Sequence, residues 1–527
     1  MTNLELAAKV LELAHSFGVR DFCVGAGFRN SPFLRVLGES SDLSTFSFFD
    51  ERSAGFFAYG RSKRDDRAVA VITTSGTAAA ELLPAVVEAF YSAVPLLVIT
   101  ADRPARFRGT GAPQSIEQPG LFGVYVEASV DLSADLPLPS IHWSAKKPLH
   151  LNVCFDEPLL AGEVPSLRLG SRNPSQPAGD DSKASRAIET FLETAQRPLL
   201  IAGALRDEDR EAVRDFALHM GSALYAEPLS GLREEPALEP IRLISGERIL
   251  RRGNFDAVIR IGGVPALRFW RDLEQTSAPV LSLSPTPFAG LSRGIHVTTS
   301  IQHSIKETRI RKLAVDKQLI EEDRRMHAAT SAALDREPAA ELSLLRSLSS
   351  AIPRGSFVFL GNSLPVREWD LVASREDRAF HLGANRGANG IDGEVSTFLG
   401  MAREGQSNWA LLGDLTTLYD LGAPWIVPQL ESDTELRIVV INNGGGQIFS
   451  RVAGLDKVDP AIRSRLFQTE HSVRFRGWAE MWNLHYEPWT AIENPALLPS
   501  RAVIEILPDA PATGRLWKAL DELWSDR

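Results

Sequence analysis

Two short polar motifs have the residue types and spacing to bind a divalent metal ion. Gly413-Asp414 follows the apolar run 409–412, and Asn442-Asn443, followed by three glycines, ends the apolar run 436–441. Each run predicts a short buried strand, and the segment between them is the size of one crossover helix. Because the carboxyl ends of neighbouring parallel strands meet at one sheet edge, we expect these side chains to lie together there. Their hard oxygens could hold Mg²⁺ along with the phosphate oxygens of a ligand.

The elements that must position these motifs alternate between strands and helices, which predicts an α/β protein. The predicted strands fall into three blocks: 21–25, 46–49, 68–73 and 95–100; 198–203, 223–226, 257–262 and 280–283; 356–360, 379–382, 409–412, 438–441 and 502–506. We predict three doubly wound parallel-sheet domains, at 1–165, 185–325 and 339–527. The Ser, Pro, Asp and Gly content of 166–196 predicts a surface linker, and 305–337 predicts a charged linking helix.

Composition excludes several classes of function. The 527 residues exceed what one core supports, and 44% hydrophobic with 24% charged residues is typical of a soluble protein. The net charge of −10 argues against nucleic-acid binding as the main function. The two cysteines, Cys23 and Cys154, each lie in an apolar run, which favours buried thiols over a disulfide. Neither a signal-peptide pattern nor a long apolar run is present, so we expect a cytoplasmic protein.

The spacing of the two motifs and eight further segments carry a family resemblance. Asn443 follows Asp414 by 29 residues, which is similar to the cofactor motif of thiamine diphosphate enzymes. The chain resembles one family of these enzymes, the 2-succinyl-5-enolpyruvyl-6-hydroxy-3-cyclohexene-1-carboxylate (SEPHCHC) synthases of menaquinone biosynthesis. The segments that resemble this family are Phe49–Gly55, Thr74–Ala78, Thr100–Pro104, Gln114–Gly120, Glu227–Arg233, Gly361–Ser363 with Arg367, Asn385–Gly393 and Gly445–Phe449. The resemblance implies a pyrimidine-binding domain, a central domain and a diphosphate-binding domain.

The resemblance implies thiamine diphosphate as the cofactor and Mg²⁺, or Mn²⁺, as its metal. Asp414, Asn443 and the backbone carbonyl of Gly445 would bind the metal with two diphosphate oxygens. Leu415 stands where most thiamine enzymes have glycine, and this family also has leucine there. Ile391 would bend the cofactor, although an isoleucine is more often a plain core residue. The full cofactor-binding set is Glu51, Ser75, Gly76, Asn362, Ser363, Ile391, Asp414, Leu415, Thr416, Asn443, Gly446, Gln447 and Ile448.

Glu51 is the candidate for activating the cofactor. A carboxyl group beside the aminopyrimidine ring favours the tautomer that removes the proton from the thiazolium C2 carbon. A glutamate in a helix's first turn is otherwise more often a capping or dipole partner, and here the family position favours the catalytic role. Gln118 and Ser363 are the implied hydrogen-bond partners of reaction intermediates.

The implied substrates, 2-oxoglutarate and isochorismate, carry several carboxylates. Arginine binds a carboxylate through two parallel hydrogen bonds, so a site for these molecules should contain arginines. Arg29, Arg367 and Arg386 each lie shortly after a predicted strand, while Arg268 and Arg403 are weaker candidates.

The implied reaction is decarboxylation of 2-oxoglutarate, followed by conjugate addition of the resulting succinyl carbanion to isochorismate. Each active site would join the first domain of one subunit to the third domain of another, in a homodimer or homotetramer. Two alternatives stay open: another thiamine-dependent carboligase of the acetohydroxyacid-synthase type, and a catalytically silent homologue. The Gly-Asp-Leu motif and the arginines disfavour the first, and the joint retention of Glu51, Asp414 and Asn443 disfavours the second.

Overall fold

The chain contains two compact units. A computed structural model of the protein describes residues 1–170, 182–306, 308–452 and 454–525. The first unit holds the described residues of Met1–Pro177 with Asn385–Glu404 and Thr416–Thr434, and the second those of Ala178–Ala384, Gly405–Leu415 and Glu435–Arg527. The domain boundaries given above at 165, 185, 325 and 339 stay predictions. Within the described residues, no helix combines the length and apolar character needed to span a membrane.

The first unit contains a six-stranded parallel sheet in the order β2-β1-β3-β4-β6-β5. Its strands are β1 (Asp21–Gly25), β2 (Ser44–Phe48), β3 (Val69–Thr73), β4 (Leu96–Asp102), β5 (Ser129–Ser133) and β6 (Leu149–Cys154). Its helices are α1 (Asn3–Ser16), α2 (Ser31–Gly38), α3 (Glu51–Asp65), α4 (Thr77–Ala80) and α5 (Leu83–Ser92). The four central strands are buried along their whole length, as expected for a parallel sheet covered on both faces.

The second unit contains two sheets, of which the earlier in sequence has the order β12-β11-β10-β7-β8-β9. Its strands are β7 (Pro198–Ala202), β8 (Leu224–Ala226), β9 (Arg242–Leu243), β10 (Ala257–Ile261), β11 (Val280–Ser284) and β12 (Ile295–Thr298). Its helices are α6 (Ser182–Thr194), α7 (Asp207–Met220), α8 (Arg268–Asp272), α9 (Ile301–Lys306) and α10 (Lys317–Arg336).

Two connecting segments of this region differ from prediction. Helix α6 lies inside the predicted linker 166–196, of which 171–181 falls outside the described residues. The predicted helix 305–337 is divided between the last two residues of α9 and the whole of α10. Residues 308–316 form no regular secondary structure, and within them Leu313 packs on the core of the sheet and donates its N–H to Met220 O at 2.8 Å.

The other sheet of the second unit has the order β14-β13-β15-β16-β18-β17, which repeats the order of the first sheet. Its strands are β13 (Phe357–Leu360), β14 (His381–Gly383), β15 (Ser407–Gly413), β16 (Glu435–Ile441), β17 (His485–Trp489) and β18 (Arg501–Ile506). The helices of this part of the chain are α11 (Glu341–Ala351), α12 (Leu364–Val372), α13 (Glu394–Met401), α14 (Asp414–Tyr419), α15 (Pro460–Ile462), α16 (Arg476–Met481) and α17 (Ala510–Trp524). Three parallel six-stranded sheets confirm the predicted α/β class.

Helix α13 belongs to the first unit, where it packs closely against α3. A Cβ atom on Gly60 would lie 2.3 Å from Thr397 O, and one on Gly400 would lie 2.3 Å from Phe57 O. Only glycine allows the two backbones to approach this far. The segment that carries the candidate residues Arg386 and Ile391 therefore leads into a helix docked on α3.

Candidate active site

Three neighbouring strands of the last sheet end in candidate residues. β13, β15 and β16 are adjacent, and their carboxyl ends continue into Asn362-Ser363, Asp414 and Asn442-Asn443. The strand order thus brings distant parts of the sequence to one sheet edge, which is the arrangement the motif spacing predicts. Ser363 has a φ of 69°, a conformation that non-glycine residues rarely adopt and that is often found at functional sites.

The Asp414 carboxylate joins the two metal-binding motifs. Its Oδ2 accepts hydrogen bonds from the backbone N–H groups of Gly444 at 2.8 Å and Gly445 at 2.9 Å, and its Oδ1 accepts one from Leu415 at 2.6 Å. His471 Nε2 lies 3.3 Å from Oδ2. Burial raises the pKa of Asp414, while these N–H groups and His471 lower it in part. The carboxylate fixes the glycine turn and keeps lone pairs for a cation.

The two adjacent asparagines have different environments. Asn442 Nδ2 donates to Glu505 Oε1 at 2.5 Å, and its Oδ1 accepts the N–H of Gly444 at 3.3 Å. Asn443 Nδ2 donates to both carboxylate oxygens of Glu341, at 2.9 and 3.1 Å. Asn443 Oδ1 is buried and has no hydrogen-bond partner among the described residues. A buried carbonyl oxygen without a donor is costly, so this atom is suited to a cation.

A cavity of about 840 Å³ adjoins this edge and is lined by Asn443, Gly444 and Gln447. Gly445 O accepts the N–H of Gln447 at 2.8 Å and keeps a second lone pair. Asp414, Asn443 Oδ1 and Gly445 O therefore offer the oxygen donors that a Mg²⁺ ion with a diphosphate requires. These residues fit the metal and the cofactor that the resemblance implies.

Charged groups of both signs face the cavity. Arg451, Arg474 and Lys518 line it together with Asp521 and Glu522, and Arg451 is paired with Asp521 at 2.8 Å. Glu341 and Glu368 also line it, and both are nearly fully buried. Burial raises the pKa of both carboxyls, and the neighbouring Glu341 raises that of Glu368 further. The pair thus carries less negative charge towards the cavity than two ionised carboxylates would.

Two further predicted cofactor residues, Gly446 and Gln447, lie in the glycine turn. Gly446 N–H donates to Gln468 O at 2.6 Å, and Gln468 Nε2 donates to Gln447 Oε1 at 3.0 Å. Ile448 and Leu415 are half-buried, and Thr416, which belongs to the first unit, is buried. Gln468 therefore anchors the turn from a segment that the sequence did not single out.

In the first unit, Glu51 begins α3 directly after β2. Its side chain packs against Gly25 at the end of β1, where an added Cβ would lie 3.0 Å from Glu51 Cγ. Burial raises the pKa of Glu51, and the nearby Asp50 and Glu81 raise it further. A raised pKa makes the protonated form of this carboxyl more accessible than that of an exposed glutamate, as suits an acid–base group.

The turn after β3 holds Ser75 and Gly76, and two glutamines lie against it. Gln118 is fully buried: Oε1 accepts the Gly76 N–H at 2.9 Å and Nε2 donates to Asn152 Oδ1 at 2.9 Å. Gln114 is exposed, has a φ of 54°, and its Cα lies 3.2 Å from where a Gly76 Cβ would be. Gln118 therefore holds the turn. Gln114 presents its side chain to solvent beside it, which no residue pattern indicated.

A buried polar network supports Gln118 and includes a neutral histidine. Thr100 Oγ1 donates to Asn152 Oδ1 at 2.8 Å and also contacts His150 Nε2 at 2.8 Å, while Ser129 Oγ lies 2.9 Å from His150 Nδ1. Burial lowers the pKa of His150 to about 4. The network behind Gln118 thus includes an uncharged imidazole.

We expect this imidazole to make the protein less stable as the pH falls below about 6.5, the pKa of an exposed histidine. His150 is protonated in the unfolded chain below about pH 6.5 but in the folded chain only near pH 4. The free energy of unfolding therefore falls by about 2 kcal/mol between pH 7 and pH 5. His150→Gln should remove this part of the pH dependence in urea unfolding. His142→Gln, at an exposed position, should retain it. If the free energy of unfolding of His150→Gln varies with pH as steeply as that of the parent, His150 is not the source of the pH dependence.

The arginine candidates of the first unit are already engaged. Arg29 is 7% exposed and donates to Phe155 O at 3.1 Å and to Glu157 Oε1 at 3.3 Å, next to the end of β6. Arg386 is half-buried and lies near Lys63. Arg403 is exposed and donates to Arg64 O at 3.1 Å. The roles predicted for these arginines at substrate carboxylates stay predictions.

Two arginine candidates lie in the second unit. Arg367, on the first turn of α12, is exposed and donates to Ser363 O, so it adjoins the strand-end edge. Arg268 begins α8, beside the sheet of β7–β12, and its Nε lies 3.9 Å from Asp272 Oδ1. Ile391, in the first unit, is half-buried and is therefore not a core isoleucine. These substrate and cofactor roles also stay predictions.

Comparison with known proteins places the chain in a class of enzyme. Residues 4–121 match the family described as "Thiamine pyrophosphate enzyme, N-terminal TPP binding domain", thiamine pyrophosphate being another name for thiamine diphosphate. The fold is similar to that of a benzoylformate decarboxylase from Polynucleobacter necessarius, with a TM-score of 0.72 at 15% identity over 96% of this chain and 98% of the other. Fold and site together define an enzyme of the thiamine diphosphate-dependent class.

Two full-length relatives narrow the class to one family. The SEPHCHC synthase of Bdellovibrio bacteriovorus is 43% identical and covers 100% of both chains. That of Akkermansia muciniphila is 38% identical and covers 95% of both. The chain belongs to the SEPHCHC synthase family.

Proposed function

We propose that the protein decarboxylates 2-oxoglutarate and adds the remaining four-carbon unit to isochorismate, giving SEPHCHC and CO₂ in menaquinone biosynthesis. Thiamine diphosphate with Mg²⁺, or Mn²⁺, is the proposed cofactor. The observation that carries the proposal is the buried Asn443 Oδ1, which has no partner among the described residues and lies on the same sheet edge as Asp414. A buried, unpaired oxygen next to a carboxylate supports a bound cation at this edge.

The bound cofactor would supply a carbon nucleophile and an electron sink for decarboxylation. Asp414, Asn443 and Gly445 would hold its metal, and the cavity beside them would take its diphosphate. Glu51 would hold a proton on its carboxyl oxygen and exchange it with the pyrimidine ring, which the raised pKa supports. Ser363 would hydrogen-bond the reacting groups. The Gln118 side chain accepts the Gly76 N–H, so Gln118 would contribute by positioning the Gly76 turn.

The arginines would neutralise and orient the substrate carboxylates. Arg367 lies beside Ser363, which supports a role at this edge. Arg386 belongs to a segment fixed within the first unit, and Arg29 would share its charge with Glu157. Arg268 and Arg403 lie on exposed surfaces and are the weaker members of the set.

Exposed aromatic side chains near the start of α3 support an assembly with active sites at subunit interfaces. The Phe49 and Trp425 rings are 5.2 Å apart and 57% and 42% exposed, and Tyr419 is 53% exposed. Aromatic residues are enriched in protein interfaces. We propose that this surface is buried in a homodimer or homotetramer, which brings Glu51 of one subunit to the metal edge of another.

The test is a turnover assay with purified protein, thiamine diphosphate, Mg²⁺, 2-oxoglutarate and isochorismate. We expect isochorismate to be consumed and CO₂ to be released, and removal of Mg²⁺ with a chelator to stop both. Turnover of pyruvate with inert 2-oxoglutarate would favour the acetohydroxyacid-synthase type. Failure to bind the cofactor at all would favour a silent homologue.

A further inference from the structure

Glu88 on α5 makes an unusual pair of contacts with the segment that carries Arg386. Its Oε1 accepts the backbone N–H of Gly387 at 2.8 Å, and its Oε2 accepts that of Ala388 at 2.7 Å. The side chain is only 3% exposed. One buried carboxylate thus binds two consecutive amides of a segment 299 residues away in sequence, in charge-assisted hydrogen bonds that are stronger than neutral ones.

The carboxylate is itself held in place. Tyr59 OH and Ser92 Oγ each donate to Glu88 Oε1 at 3.2 Å, and Lys63 Nζ lies 3.4 Å from Tyr59 OH. Burial lowers the pKa of Lys63, while Glu88 raises it. A buried charge is tolerated when its oxygens are satisfied in this way, and the resulting network fixes the orientation of the carboxylate.

The close fit of the segment on α5 is a second, independent observation. A Cβ on Gly387 would lie 2.5 Å from Glu88 O and 2.7 Å from Ser92 Oγ, so only glycine allows this approach. Further along the segment, a Cβ on Gly393 would lie 1.9 Å from the Phe56 ring, which belongs to α3. The span that contains Arg386 and Ile391 is therefore fastened to α5 near one end and to α3 at the other.

We propose that Glu88 is a positioning residue for substrate: it fixes the backbone of Arg386-Gly387-Ala388 and so sets where the Arg386 guanidinium meets a substrate carboxylate. The inference rests on the proposed function, in which Arg386 binds such a carboxylate. In this role Glu88 acts without contacting substrate or cofactor. Its effect passes through the backbone of the residue next to Arg386, where a shift of about 1 Å is enough to weaken binding and catalysis.

The experiment compares Glu88→Gln with Arg386→Gln in the whole enzyme loaded with thiamine diphosphate and Mg²⁺. Glutamine keeps one acceptor but turns an NH₂ group towards an amide N–H. We expect Glu88→Gln to raise the KM of one substrate about tenfold, the same substrate whose KM rises in Arg386→Gln, with a smaller change in kcat. The double variant should show little more than the Arg386→Gln effect, because the two residues act as one unit.

Gly387→Ala is the second variant, since it displaces the same backbone without removing a charge. It should raise the KM of the same substrate even if Glu88→Gln folds poorly. Glu39→Gln, the same change at an exposed site, is the matched control and should leave both KM values unchanged. Thermal unfolding of each variant separates a general loss of stability from the specific KM change.

Each outcome decides something. Unchanged KM values in folded Glu88→Gln and Gly387→Ala, with a raised KM in Arg386→Gln, overturn the role of Glu88 and leave the proposed function standing. Fully additive KM effects in the double variant also overturn it. Unchanged KM values in Arg386→Gln overturn the assignment of Arg386, and with it this inference, while turnover of 2-oxoglutarate and isochorismate still supports the reaction itself.

Discussion

Replacement of Glu51 by glutamine is expected to lower kcat by about a thousandfold, within the range that a general acid–base group contributes. Glutamine is isosteric but cannot hold and release a proton. The native carboxyl is prepared for that task because burial and the nearby Asp50 and Glu81 raise its pKa. It also begins α3, whose N-cap Asp50 accepts the Ser53 N–H at 3.2 Å, so the helix start does not depend on the Glu51 carboxylate. Steady-state kinetics with both substrates measure the change.

Two further measurements show whether the lower kcat reflects a slower catalytic step or a loss of folding or cofactor binding. The thermal unfolding midpoint and the affinity for thiamine diphosphate, followed by tryptophan fluorescence, should both stay close to the parent values. Glu39→Gln, an exposed glutamate of the same unit, should retain full activity. Activity within tenfold of the parent in Glu51→Gln would exclude Glu51 as the proton-exchanging group. A large loss of cofactor affinity would instead indicate a binding role.

Most central strands of the three sheets could be predicted from the sequence, whereas four edge strands and one central strand could not. Interior parallel strands are buried on both faces and appear as continuous apolar runs, such as 96–99 in β4. The buried central strand β6 was missed because His150 and Asn152 interrupt its apolar run. The edge strands missed were β5, β9, β12 and β17, and each is the outermost strand of its sheet. Three of them are largely exposed and polar, and β9 has two residues. An edge strand needs no apolar pattern because one side faces solvent.

In the candidate site, the sequence likewise indicated the residues but did not show their surroundings. Residue type and spacing indicated Asp414 and the two asparagines, but only the structure distinguishes them by contact: Asn442 is held by Glu505, whereas Asn443 keeps its oxygen unpaired. Likewise, the sequence could not show that Gln118 is fully buried while Gln114 is exposed in a left-handed conformation. Such differences depend on tertiary hydrogen bonds, which a linear pattern does not contain.

Two glutamates that support the candidate site, Glu341 and Glu88, were not predicted because the sequence does not show that they are buried. Glu341 and Glu88 are glutamates on helices, and on sequence such residues are indistinguishable from solvated surface charges. In the structure both are nearly fully buried, and each binds amide groups of a candidate segment through both carboxylate oxygens. A buried carboxylate costs stability unless it is satisfied, so its position is informative only once burial is known.

Asn443→Ala is expected to weaken the Mg²⁺-dependent binding of thiamine diphosphate by about a hundredfold or more, since it removes one of three protein ligands proposed for the metal. The fold should persist, because the Asn443 Oδ1 has no partner among the described residues and the glycine turn is held by Asp414. Cofactor titrations at several Mg²⁺ concentrations measure the effect. Activity should return in part when the concentrations of thiamine diphosphate and Mg²⁺ are both raised.

Asn442→Ala is the matched comparison, because it removes the same group one residue away. Asn442 Nδ2 donates to Glu505, which is fully buried, and to Val473 O at 2.8 Å, so its loss leaves a buried carboxylate short of a donor. We therefore expect Asn442→Ala to lower the free energy of unfolding by about 2 kcal/mol, and the Mg²⁺ dependence of binding to change much less. If instead Asn443→Ala binds cofactor within threefold of the parent and Asn442→Ala loses the Mg²⁺ dependence, the ligand is Asn442. In that case the unpaired Asn443 oxygen must serve a group other than the metal.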